Sequence, residues 1–193
     1  MKKWRADFRL WHWINAFIIL GVLGTVFLRK TFLSVKTNSE VVMDKLSGID
    51  INVTASQAKM VVRAIRAPMW EWHIWLGYAL AALVVWRIAL FFTQSGKQKY
   101  TTLKEQTMHH KLVTVLYVLF YAALTFMAVS GLMLEFHKAL GISHSLTEWL
   151  EGKHALIYNL ILYFVPIHIL GVIMAEQKEE KGIISDMING GKA

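Results

Sequence analysis

The sequence predicts an all-α membrane protein, a four-transmembrane-helix bundle with a short amphipathic helix in its first loop. Two observations carry that expectation. Of 193 residues, 55% are hydrophobic and only 18% charged, too apolar a balance for an ordinary soluble domain of this length. Four windows, at about 8–28, 69–92, 112–134 and 155–175, are long enough to cross a bilayer, which takes about 20 mostly apolar residues.

The first window follows Lys2, Lys3 and Arg5. It reads as a span and not as a secretory signal, because it outruns a usual apolar signal core, continues into "FLRK" and lacks a small-residue cleavage site. The connection after it, about 29–68, is the one long loop. Within it, "SQAKMVVRAIRAP" sets Lys59, Arg63 and Arg66 at i, i+4 and i+7, with Val61, Val62 and Ile65 on the other side. That pattern predicts a short amphipathic helix on the membrane surface, which either closes the loop or offers a docking face. Asn52-Val-Thr54 matches a glycosylation sequon, a match too common by chance to carry weight. The second and third windows are joined by a loop with Lys97, Lys99 and Lys104. The third and fourth are joined by a short one holding His137 and His144, both expected in solvent. The tail "EQKEEKGIISDMINGGKA" predicts a short helix with a glycine stop.

An even number of spans puts both termini on one side. Lys2, Lys3, Arg5 and Arg9 at the N-terminus and the lysines of the second loop favour the cytoplasm for that side, so the long first loop, itself basic, faces the periplasm. The net charge of +8 resides in residues flanking apolar spans, which fits membrane-surface anchoring and not nucleic acid. There is no cysteine, which removes disulfides, Cys-ligated iron–sulfur clusters and covalent c-type haem attachment.

The eight histidines are the informative residues, since ionisable groups inside membrane spans are costly and mark functional sites. His154 and His168 bound the run "HALIYNLILYFVPIH", at positions i and i+14. At about 100° and 1.5 Å per residue they project from nearly one helix face but lie about 21 Å apart along the axis. Two imidazoles at that separation cannot share an ion whose bonds to nitrogen are about 2 Å long. They imply two sites stacked through the bilayer, and each needs a partner at its own depth. His12 opens the first span on the side where the last span ends, which pairs it with His168. His73 opens the second span on the side where the last span begins, which pairs it with His154.

Two His–His pairs with no carboxylate or thiolate nearby suit two b-type haems, each a flat apolar macrocycle held axially by imidazoles from facing helices. Small residues share the ligand faces: Ala16 four after His12, Gly77 four after His73 and Gly171 three after His168, whereas Tyr158 follows His154. They would let a macrocycle approach the backbone, or simply favour close helix packing. Arg87, at i+14 from His73, falls at the level of the His12/His168 pair. There it pairs with a haem propionate or snorkels to the interface. Pro166 is expected to kink the last span near His168. His109 and His110 sit at the cytoplasmic mouth of the third span. His110 is the candidate for lining a quinone pocket and exchanging protons, since imidazole ordinarily titrates near neutrality.

With "RLWHW" opening the first span, "HIWLGYALAALVVWR" in the second and "HALIYNLILYFVPIH" in the last, the chain resembles the superfamily of bacterial cytochrome b561 and the cytochrome b subunits of nickel-iron hydrogenase and formate dehydrogenase. The resemblance covers all four spans and implies one transmembrane cytochrome b domain over 1–193 in the bacterial inner membrane. It assigns His12, His73, His154 and His168 as the axial iron ligands of two haem b groups. It further implies an electron-transfer subunit of an oxidoreductase in a respiratory chain, working between the membrane quinone pool and a periplasmic partner. That partner would be a dehydrogenase or reductase subunit or a c-type cytochrome; the alternative is a stand-alone quinone-reducing cytochrome b561. The long basic first loop departs from the compact stand-alone members. Outside the resemblance, intramembrane histidines also suit a proton or metal transporter, which should carry more acidic residues within its spans than Glu71 and Glu135 at their ends, or a haem-free anchor subunit with histidines bonded across helices.

Overall fold

The structure, a computed structural model, describes residues 4–92, 108–178 and 181–191, without the side chains of 108–110. Six helices follow one another, with no strand among the described residues: α1 (Ala6–Lys30), α2 (Val35–Ser47), α3 (Ala55–Phe92), α4 (Met108–Glu135), α5 (His144–Gln177) and α6 (Ile183–Asn189). The expected spans fall within α1, α3, α4 and α5, all long and apolar enough to cross a membrane. At most 28% of the most apolar window of any of them is buried against protein. The remaining apolar surface, Phe17, Phe27, Trp75, Phe92 and Leu160 among it, is what a bilayer would cover.

Helix starts are set by local chemistry. Ser34 caps α2 and Ser143 caps α5, each hydroxyl accepting a backbone N–H three residues on. Thr54 and Gln57 form a reciprocal capping box: the Gln57 side-chain oxygen accepts from the Thr54 N–H at 2.8 Å, and the Thr54 hydroxyl from the Gln57 N–H at 3.3 Å. That box begins α3 at Ala55, and the helix then runs unbroken through Pro68. The amphipathic segment expected as a separate surface helix is thus the first part of the second span's own helix. Proline removes one backbone bond without stopping a helix whose next turns are stabilised by the apolar run. At about 1.5 Å per residue α3 is about 57 Å long, nearly twice the roughly 30 Å hydrocarbon core, and its first turns carry the charged Lys59, Arg63 and Arg66. α5 likewise continues through Pro166.

The chain divides into two compact units: residues 1–17 with 78–193, and residues 18–77. In the first, α4 packs on α5 and α6 on the end of α5. Glu176 accepts the N–H groups of Gly182 and Ile184, at 2.9 and 3.0 Å, and so caps the turn into α6. The expected glycine stop is Gly190, in the left-handed region at φ 79°. α6 is tied to α1 by Arg9, which donates to the Ile188 carbonyl, and by Trp13, whose indole donates to the Met187 carbonyl. In the second unit α1 approaches α3 where Gly21 meets Leu76: a Cβ on Gly21 would lie 3.1 Å from the leucine Cδ1. α2 in this unit had no counterpart among the expected elements.

Candidate functional site

The second turn of α1 and the last part of α5 bring His12 and His168 together, with ring centres 6.3 Å apart and planes inclined at 57°. Helical spacing stacks Phe164, one turn earlier, on the His168 ring at 5.7 Å and 8°. Tyr117 of α4 meets His168 edge-on, its hydroxyl 3.4 Å from Nδ1. His12 stands edge-on to Trp13, and its Nδ1 is buried with no hydrogen-bond partner among the described residues. Metal–imidazole bonds are about 2 Å long and each nitrogen lies roughly 1 Å from its ring centre, so two imidazoles sharing one ion stand about 6 Å apart. The observed separation meets that requirement.

Arg87 lies near the level of this pair, against Trp11, the neighbour of His12 in α1, and Tyr121, one turn after Tyr117 in α4. Its guanidinium carbon is over the rings of Tyr121, Phe8 and Trp11 at 4.8, 5.4 and 5.6 Å, and Trp11 is anchored by its indole donating to the Leu83 carbonyl at 2.8 Å. Nε and Nη1 of Arg87 are buried without a hydrogen-bond partner among the described residues. Aromatic faces attract the cation but accept no N–H bond of full strength, so an anion at this point would find two unspent donors.

His154 lies at a different level. α5 meets α4 at Tyr117 through His168 and at Ser130 through His154, whose Nδ1 is 2.8 Å from the Ser130 Oγ. Between the two contacts the chain advances along α4, from Tyr117 to Ser130, and runs back along α5, from His168 to His154. The helices are antiparallel there, and the imidazoles stand about 20 Å apart along them. The Gly131 backbone passes close to His154, a Cβ on it lying 3.5 Å from the imidazole Cε1.

His73 belongs to the unit of residues 18–77. Its Nδ1 is 2.8 Å from the Thr25 hydroxyl, and its ring stacks on Trp70 at 5.0 Å and 14°, with the Arg29 guanidinium over the Trp70 ring at 5.2 Å. His73 and His154 thus fall in different units, each with its own hydroxyl contact. Among the described residues no three of His, Cys, Asp or Glu converge.

The family model for prokaryotic cytochrome b561 matches residues 3–190. The chain belongs to the prokaryotic cytochrome b561 family. No curated protein and no solved structure matches it. As a member of this family it is a multi-pass membrane cytochrome of the b type, which binds haem b and serves electron transfer.

The residues present fit that group in a b561 cytochrome. The separation of His12 and His168 would suit two ligands of one iron, Arg87 Nε and Nη1 would be donors for a propionate, and a Cβ on Gly171 or Gly77 would meet nothing within 4 Å among the described residues. Tyr158, which broke the small-residue pattern after His154, is buried in α5. The histidine-based reading missed Tyr117, Ser130 and Thr25, although Ser130 in "FMAVSGLML" and Thr25 in "VLGTVF" are lone hydroxyls inside apolar runs and could have been flagged on that ground. The side chains of His109 and His110, and with them the quinone-pocket candidate, lie outside the described residues. His144 is exposed beside Glu148, as expected, whereas His137 is half-buried and donates from Nδ1 to the Leu134 carbonyl at 2.7 Å.

Proposed function

We propose that this cytochrome holds two haem b groups stacked through the bacterial inner membrane, one between His12 and His168 and the other between His73 and His154. It would carry electrons between the quinone pool and a periplasmic redox protein. The observation that carries this reading is the His12–His168 pair, with the Arg87 guanidinium over Trp11, the neighbour of His12, and Tyr121. The second pair rests on helix arithmetic in the sequence. It is supported by the separate levels of His154 and His168 on α4.

In this reading His12 and His168, and His73 and His154, would hold the haem iron, and the apolar helices would exclude water. Arg87 offsets the charge of a propionate that would otherwise be buried unpaired. Haem b, when bound, supplies reversible one-electron chemistry in that low-dielectric sheath. The basic N-terminus favours a cytoplasmic position for both termini, and puts the His12/His168 level on that side. His110, at the start of α4, is the residue proposed to exchange protons with a quinone there. The periplasmic partner would be a dehydrogenase or reductase subunit or a c-type cytochrome, which makes the chain an electron-transfer subunit of an oxidoreductase in a respiratory chain.

A reduced-minus-oxidised visible spectrum of the purified protein, with haem determined per chain, tests the reading. A b-type band at a ratio near two is expected; a ratio near one, or no such band, contradicts it. Reduction of that band by a quinol, in membranes, tests the quinone assignment.

A further inference from the structure

Two histidines are held by hydroxyls that are themselves tied to their own helix. Thr25 Oγ1 lies 2.6 Å from the Val22 carbonyl and 2.8 Å from His73 Nδ1. Ser130 Oγ lies 2.6 Å from the Phe126 carbonyl and 2.8 Å from His154 Nδ1. Both hydroxyls are buried, at 8% and 1% exposure, so water does not substitute for either contact.

A hydroxyl has a single proton to donate, and a carbonyl oxygen can only accept. If that proton pointed at the imidazole, hydroxyl and carbonyl oxygens would face each other at 2.6 Å with no hydrogen between them. Both short contacts are satisfied only when the hydroxyl donates to the carbonyl and accepts from an N–H at Nδ1. The imidazole is thereby fixed as the tautomer with its proton on Nδ1 and its lone pair on Nε2, the form that can bind a metal through Nε2. The other two histidines lack such an arrangement. Among the described residues His12 Nδ1 has no hydrogen-bond partner, and the Tyr117 hydroxyl stands 3.4 Å from His168 Nδ1, beyond an ordinary O–H bond.

We infer that Thr25 and Ser130 are positioning residues for His73 and His154: each hydroxyl, anchored to its helix backbone, selects the Nε2-ligating tautomer and strengthens that imidazole as an iron ligand. The inference rests on the reading that both histidines are axial ligands. A ligating imidazole that donates its second N–H is the more basic for it. Greater basicity favours ferric over ferrous iron, so these hydroxyls lower the potential of the haem their histidines hold. The effect is absent wherever the N–H has no acceptor.

The test uses the purified full-length protein and spectroscopic redox titration alongside haem content. Thr25→Val and Ser130→Ala remove the acceptors; Thr25→Ser and Ser130→Thr keep them. Thr125→Val is the control, since the exposed Thr125 hydroxyl donates to the Tyr121 carbonyl and touches no imidazole. The expected result is an upward shift of one b-type component in each acceptor-free variant, with the other component unmoved and the native potential kept in Thr25→Ser. Loss of a single haem in Thr25→Val that Thr25→Ser restores supports the same role through the tautomer. Unmoved potentials at full haem content overturn the inference, as does a downward shift or an equal shift in Thr125→Val. If the unaltered protein holds fewer than two haems, the underlying reading fails instead. If it holds two and neither variant moves either component, only the hydroxyl roles fail.

Discussion

His12 near the start of the chain and His168 near its end face each other from α1 and α5, their ring centres 6.3 Å apart. That separation suits one ion between two imidazoles, and Nε and Nη1 of Arg87, whose guanidinium lies over the neighbouring Trp11, are buried with no hydrogen-bond partner among the described residues.

Replacing Arg87 by Gln should weaken haem binding at the His12/His168 level and leave the other level unchanged. Hydrogen bonds to charged groups contribute about 1.5–3 kcal/mol, so the affinity should fall about tenfold to a hundredfold. Arg87→Lys should recover only part of it, because an ammonium does not reproduce the planar fork. Haem titration into the haem-free protein checks this; equal affinities at both levels would show that the guanidinium serves packing alone.

Gly171→Leu separates space for a ligand from space for a neighbouring helix. A Cβ at Gly171 meets nothing within 4 Å among the described residues, so the haem-free chain should lose no more than about 0.5 kcal/mol, as for a surface site. The bound haem should fall from two per chain toward one. Full haem content in a folded variant would mean that the gap faces lipid only.

Gly190→Ala tests the docking of α6. At φ 79° an alanine bears about 1–2 kcal/mol of left-handed strain, and its Cβ would lie 3.1 Å from Arg9 Nη1. Hydrogen-exchange protection of the α6 amides should drop about tenfold, since about 1.4 kcal/mol is one decade. Unchanged protection would show that α6 is held by Trp13 and Glu176 without the Arg9 contact.

The four spans were legible because hydropathy over about 20 residues is a long, redundant signal. The two levels on α5 were legible because helix geometry converts the spacing of His154 and His168 directly into depth. The continuity of α3 was not: Pro68 reads as a boundary, and only the capping box at Thr54 and Gln57 reveals where the helix begins. α2 was hidden in a stretch whose polar, mixed composition carries little periodicity, its start depending on the single hydroxyl of Ser34. Arg87 could be placed at its level from spacing, but its enclosure by Phe8, Trp11 and Tyr121 draws on three helices and is a tertiary fact. Thr25 and Ser130 escaped notice for the same reason, since a hydroxyl in a span is ordinary until an imidazole is found against it.

The central claim is that His154 and His168 share a helix and serve different haems. Haem per chain, measured in His154→Ala, His168→Ala and the double variant, with helical content followed by circular dichroism, tests it most directly. The account predicts one haem in each single variant, with different spectra for the two, and none in the double. A single variant that keeps both haems, or a folded single variant that loses both, would contradict it.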